Sequence, residues 1–373
     1  MIHFFPNHIA YTVQLLDKYS EFVASKASTG IAVIPILLER IKKLRDAFQS
    51  LRDKEGLTEP DQLQRNLRSF RILLMELEVL ECLALPVVTH YQEEFDGYLT
   101  ALFHELCHEI GCPVSPPHVC ALSTGNAAQG RDYYWYFPEY STIFVPTTER
   151  FSRLNLPDLL HELSHHILVT YKASFIGPLR SWFLEYHAET ERKLLLQGIS
   201  DPNRLEASQA IFLQRWPAFW SEEVVCDAMA AYCVGQAYGW TNLKLCQSYP
   251  PDLSYDIYHY SDTHPPDAYR MDVILAMLKH LGIEAKGLKS TWDDYVKTFR
   301  RTKPALYGQH FPKDLVDRLI PHVFETCQDI GLIPCTERLN EESTIISKLD
   351  TAWNLFLRDP HGLREIEDES LLK

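Results

Sequence analysis

Leu156-Pro-Asp-Leu-Leu-His161-Glu162-Leu-Ser-His165-His166-Ile-Leu-Val169 is the stretch on which the reading of this chain turns. Its apolar residues recur at helical spacing, and Asn155 with Pro157 supplies start signals at its head. The stretch contains H-E-x-x-H. On a helix, residues four apart lie on one face with Cβ atoms roughly 5–6 Å apart. Two imidazoles so placed can converge on one ion at about 2.0–2.1 Å. Glu162 then stands beside a metal-bound water, placed to take its proton.

The same pattern occurs at His104-Glu105-Leu-Cys-His108. The flanks separate the two. His165 is followed by His166 and then an apolar run suited to a buried helix, whereas His108 is followed by Glu109. The 104–108 copy reads as the polar face of a surface helix.

A catalytic metal site needs a third protein ligand and an open position for water. Leu168 and Tyr171 stand where a metzincin would carry glycine and a third histidine, so that arrangement is excluded. Downstream, Trp220-Ser-Glu-Glu223-Val-Val-Cys-Asp227 places two acids one helical turn apart. Such stacked carboxylates repel in an isolated helix, and a cation would turn that cost into a gain. Glu223 is then a ligand, and Asp227 a partner that orients a ligand imidazole. Acids in a first turn after Ser221 also suit the helix dipole alone. Glu185, with Glu189 one turn on, is the rival third ligand, although Glu185–Lys193 is charged as a solvated face would be.

Before this region, apolar residues recur at three- and four-residue spacing through Ile9–Val23, Val33–Leu51, Leu63–Leu83 and Tyr91–Ile110, which predicts helices. Breaks fall at Ser28–Gly30, Gly56–Pro60 and Leu85–Pro86. Arg131–Phe137 and Ser141–Val145, rich in aromatic and β-branched residues around Pro138–Glu139, predict two strands and a turn after a loop at Gly125–Gly130. Helices resume at about Leu156 and dominate to Leu357, and the charged tail from Asp359 is expected to fray.

The 373 residues allow more than one compact unit. A net charge of −14 argues against nucleic acid or an anionic membrane as principal partner. The nine cysteines form no C-x-x-C pair and no regular framework, as in a reducing compartment. No segment has the roughly 18–20 apolar residues that span a bilayer, and the first residues lack a secretory leader. A soluble, cytoplasmic protein is expected.

Further on, Ser261-Asp-Thr-His264-Pro265-Pro266-Asp-Ala-Tyr-Arg270 opens an amphipathic helix that runs to about Leu281, before Gly282. The ordered set of H-E-x-x-H, then E-x-x-x-D, then His-Pro with an arginine six residues after its histidine resembles the gluzincin metallopeptidases of the HtpX and CAAX prenyl endopeptidase kind. The resembling span, about Arg131 to Leu281, covers less than half the chain. The resemblance implies one Zn2+ held by His161, His165 and Glu223, with Glu162 as general base. It implies that His264 and Arg270 stabilise the oxyanion, and that the hairpin Arg131–Val145 offers an edge strand to substrate. Unlike those relatives, this chain has no membrane spans, so a lipidated or membrane-embedded substrate is not implied.

The resulting expectation is a mainly α (α+β) protein with a zincin-like core and a small sheet. Residues 1–112 are expected to form an N-terminal helical region, 113–302 the catalytic domain and 303–373 a C-terminal helical region and tail. The expected function is zinc-dependent hydrolysis of a peptide or protein. The alternatives are a zinc hydrolase of a non-peptide amide and a helical interaction protein with a structural metal site.

Overall fold

The apolar run at Leu156 does form a helix, buried through its first nine residues and partly exposed beyond Leu168. In the computed structural model it spans Leu156–Ile176, with Leu156 to Ser164 wholly buried. Pro157 lies in its first turn, where a missing N–H costs nothing. Asn155 does not cap this helix with its side chain, and its Oδ1 instead accepts from Lys244 Nζ at 2.6 Å. The structure describes residues 4–27, 34–53, 60–80, 88, 96–121, 134–146, 153–198, 202–248, 257–298 and 303–359. The expected breaks at Ser28–Gly30 and Leu85–Pro86, the loop at Gly125–Gly130 and the tail past Asp359 lie outside them.

The chain is mainly helical with one small mixed sheet. It divides into two compact units. The first joins Met1–Leu102 to Pro117–Arg150. Its helices Phe4–Ser25, Ile34–Arg52 and Pro60–Val79 follow the predicted periodicity. Ile9, Leu37, Ile41, Phe48 and Phe70 share one core with Phe137 and Phe144 from the sheet and Tyr140 from its turn.

The sheet has three strands in the order β1 (His118–Ala121), β3 (Thr142–Val145), β2 (Trp135–Phe137). The predicted pair is β2 and β3, which run antiparallel with Tyr136 opposite Ile143. Pro138–Tyr140 makes the turn, and Ser141 closes it in the left-handed region at φ 45°. The third strand, β1, lies parallel to β3 with Val119 opposite Ile143. Its outer edge is blunted, because the Thr100 hydroxyl donates to the Val119 carbonyl at 3.0 Å and accepts its N–H at 3.2 Å.

The second unit joins Phe103–Pro116 to Phe151–Lys373. This grouping crosses the expected boundaries at 112/113 and 302/303, because the strands cluster with the N-terminal helices and the last helices cluster with the H-E-x-x-H helix. At its heart is the helix Ser221–Val234, in which every residue except Glu222 is buried. It packs against Leu156–Ile176, Asp267–His280 and Lys313–Asp329. Ala228, Ala230 and Ala231 are fully enclosed, and their small side chains allow this close approach. A helix apolar on all sides belongs in the middle of a layered unit.

Just before it, Ala210–Trp220 winds as a π-helix that includes Pro217. Trp216 and Trp220 anchor it: their Nε1 atoms donate to the carbonyls of His310 and Ser261, each at 3.1 Å. Among the described residues, no helix is long and apolar enough to cross a membrane.

Candidate metal centre

The helices Leu156–Ile176 and Ser221–Val234 cross antiparallel, as their side-chain pairs show. His161 Nδ1 lies 3.0 Å from Asp227 Oδ1, His165 Nε2 lies 3.4 Å from Glu223 Oε1, and Lys172 pairs with Glu222. As one helix advances, the other retreats. The crossing brings three donor groups together: His161 Nε2 is 3.3 Å from His165 Nε2 and 3.3 Å from Glu223 Oε2. Four ligands about 2.0–2.1 Å from a tetrahedral ion are separated by about 3.3–3.4 Å. The three groups are thus spaced like the edges of a tetrahedral coordination shell, with the carboxylate meeting His161 through Oε2 and His165 through Oε1.

Among the described residues, His161, His165 and Glu223 form one group able to hold a metal ion. Glu223 Oε2 is buried without a hydrogen-bond partner, which is costly unless a cation satisfies it. An orphaned carboxylate oxygen beside two imidazole nitrogens fits a bound cation. The expected pairing of stacked acids is also present, and each acid faces its own cation: Glu223 the histidine pair, Asp227 an arginine.

Behind the triangle is a second set of contacts. Arg270 grips Asp227 with two parallel bonds, Nε to Oδ2 at 2.8 Å and Nη2 to Oδ1 at 2.7 Å. Tyr238 OH donates to Asp227 Oδ1 at 2.5 Å and lies 3.1 Å from His161 Nδ1. Burial favours neutral Asp227, but the Arg270 guanidinium outweighs it and holds the carboxyl below the usual range. Burial likewise opposes charge on His161. The Asp227 and Glu223 carboxylates together overcome it and raise the imidazole to about 10. Glu223 is held well below its ordinary value, again against burial, by the imidazoles around it, His165 foremost. The metal-free site is thus a trap for positive charge.

Glu162 is buried on the same turn as His161. His264 comes from the loop before Asp267–His280. Ser261 Oγ accepts the His264 N–H at 2.9 Å, and the Ser261 carbonyl is the one held by Trp220. The His264 side chain is 54% exposed, with Nε2 3.5 Å from Glu223 Oε2, so it stands at the rim of the triangle. Arg270 is not at the rim. Its bidentate pairing with Asp227 sets it behind His161.

The other candidates lie elsewhere. Glu185 forms an exposed ion pair with Arg318 at 2.9 Å, as the solvated-face reading anticipates. In the earlier H-E-x-x-H copy, Glu105 and His108 are exposed and His104 is half-buried. His166 Nε2 donates to the Ser115 carbonyl at 2.9 Å. Cys226 is fully buried packing within its helix. Sequence reasoning missed Tyr238. No spacing rule ties it to His161, since Gly235 intervenes and restarts the chain in a new helix, Gln236–Ser248. Comparison of the chain with protein-family models, with curated proteins and with solved structures found no match.

Proposed function

We propose that this chain is a zinc-dependent peptidase of gluzincin kind. The observation that carries this reading is the tetrahedral-edge triangle of His161, His165 and Glu223 with Glu162 on the same turn. Two imidazoles and a carboxylate suit zinc. A structural zinc site is closed by four protein ligands, whereas the group among the described residues has three, and a structural site has no use for Glu162. When bound, the ion would polarise a substrate carbonyl and lower the pKa of a water.

Glu162 takes the proton from the attacking water and delivers it to the leaving amine. His264, at the rim and tethered by Ser261, offers an N–H to the carbonyl oxygen as it gains charge. Arg270 acts through Asp227, fixing the carboxylate that orients His161, and so differs from the oxyanion role that the resemblance implies. The substrate is a peptide or protein. The acidic surface disfavours nucleic acid, and the cysteine usage favours the cytoplasm.

The test compares wild type with Glu162→Gln for bound zinc and for cleavage of unfolded casein. About one zinc per chain is expected in both, with cleavage in wild type alone. A wild type that holds no zinc, or a Glu162→Gln protein that cleaves as fast, overturns the reading.

A further inference from the structure

Several buried tyrosine hydroxyls in this unit end on backbone carbonyls. Tyr232 donates to Leu332 O at 3.0 Å, Tyr269 to Pro312 O at 3.2 Å and Tyr295 to Cys246 O at 2.9 Å. Tyr238 is different. Its hydroxyl meets a carboxylate and an imidazole, and its ring lies nearly parallel to that of His161, 13° between planes with centroids 6.2 Å apart.

We propose that Tyr238 is a positioning residue of the metal centre, whose hydroxyl shares Asp227 with Arg270 and locks His161 in the tautomer that leaves Nε2 bare toward His165 and Glu223. The proposal deepens the zinc reading and rests on it.

Counting donors and acceptors leads to this role. An ionised carboxylate offers about four acceptor sites. Asp227 Oδ2 receives Arg270 Nε, while Oδ1 receives Arg270 Nη2 and Tyr238 OH and also stands 3.0 Å from His161 Nδ1, so that the imidazole shares an oxygen already taken by two donors. Of these groups only the tyrosine hydroxyl can also accept. While donating to Asp227 it presents its own oxygen 3.1 Å from His161 Nδ1. The Nδ1–H therefore has two acceptors, and the one proton that would suit the opposite tautomer, that of Tyr238, is given to Asp227. A neutral imidazole with its proton on Nδ1 has a free lone pair on Nε2, the atom in the triangle.

The backbone puts Tyr238 there. Gly235 ends the Glu223 helix at φ +64°, where a Cβ would stand 3.1 Å from Cys335 Sγ. The next helix then returns alongside with Tyr238 in its first turn.

Removing the hydroxyl leaves Asp227 one donor short and His161 with a single acceptor. Groups that orient a ligand in this way typically contribute about 10–100-fold to metal affinity. The experiment titrates zinc against a competing chelator in wild type, Tyr238→Phe and Tyr295→Phe. Unfolding in excess chelator checks that each metal-free variant folds. Zinc is expected to bind Tyr238→Phe about 10–100-fold more weakly and Tyr295→Phe as tightly as wild type. Bound Co2+ should show shifted visible bands in Tyr238→Phe only.

A double substitution with Asp227→Asn should lose less affinity than the product of the two single losses, because the hydroxyl and the carboxylate hold the same Nδ1–H. Should Tyr238→Phe not fold, NMR of zinc-loaded wild type decides. A slowly exchanging His161 Nδ1–H that cross-relaxes with Tyr238 supports the proposal, and an Nδ1–H exchanging as freely as in solvent overturns it. Equal zinc affinity in wild type and folded Tyr238→Phe also overturns it. Absence of zinc from wild type would instead defeat the underlying metal reading.

Discussion

Residues 104–108 and 161–165 spell the same five-position pattern, and both lie on helices. Around the first copy, Phe103, Leu106, Cys107 and Ile110 are buried while Glu105 and His108 face solvent. Its neighbour Glu109 serves the backbone: its two carboxylate oxygens share the N–H of Ile345, at 2.8 and 2.9 Å, at the start of the helix Ile345–Arg358. Around the second copy the helix is enclosed, and an acid from another helix closes a triangle with the two rings. The lesson is physical. A pair of histidines one turn apart supplies two donors, and a site requires a third donor together with groups that fix the rings from behind.

The sharpest way to break this contrast is to remove one histidine from each copy. His161→Ala is expected to weaken zinc binding by more than about 100-fold, beyond the usual effect of losing a ligand-orienting group. His104→Ala should bind zinc like wild type. Dialysis against buffered zinc followed by metal analysis checks both, and loss of metal from His104→Ala alone would reverse the assignment.

Next in size is the support behind His161. Arg270→Met strands Asp227, fully buried, without its guanidinium. Breaking such a pair from one side costs about 3–5 kcal/mol. Urea unfolding should show this loss, while Arg318→Met, which breaks the exposed pair with Glu185, should leave the midpoint unchanged.

The third test uses pH. Without metal, His161 is raised from 6.5 to about 10 in the folded chain. The folded state binds this proton more tightly than the unfolded state. The contribution is fully present below pH 6.5 and is lost as pH rises through about 10. In chelator, Tm should therefore fall across that window. With zinc the proton is displaced, so affinity should rise with pH and the added stability with it. Parallel slopes with and without zinc would argue against the ion entering at His161.

The smallest expected effect belongs to the first copy. Glu109→Gln removes a charged cap and should cost about 0.5–2 kcal/mol in stability with zinc binding unchanged.

Much of this was legible beforehand, for reasons that particular residues make plain. The helices carry strong three- and four-residue periodicity, and β2 and β3 announce themselves because their turn is local. Glu223 and Asp227 were legible because two acids stacked one turn apart call for counter-charge. The parallel strand β1 was not legible. Its four residues follow Pro116-Pro117, and its partner β3 enters only after β2 has been laid down. The pairing of Arg270 with Asp227 was not legible, because spacing along a chain cannot tell which neighbouring helix a guanidinium meets. The grouping of 303–359 with the helices that carry His161 and Glu223 likewise depends on contacts such as Trp216 with His310, which no local pattern records.

Those same contacts bear on how the protein is made. Tyr232, on the helix that carries Glu223, ties to a carbonyl 100 residues downstream. During synthesis both imidazoles leave the ribosome well before that tie can form, so a nascent or truncated chain would present bare histidines with no secured acid. A secured His161–His165–Glu223 group would then arrive late, well after both histidines have emerged.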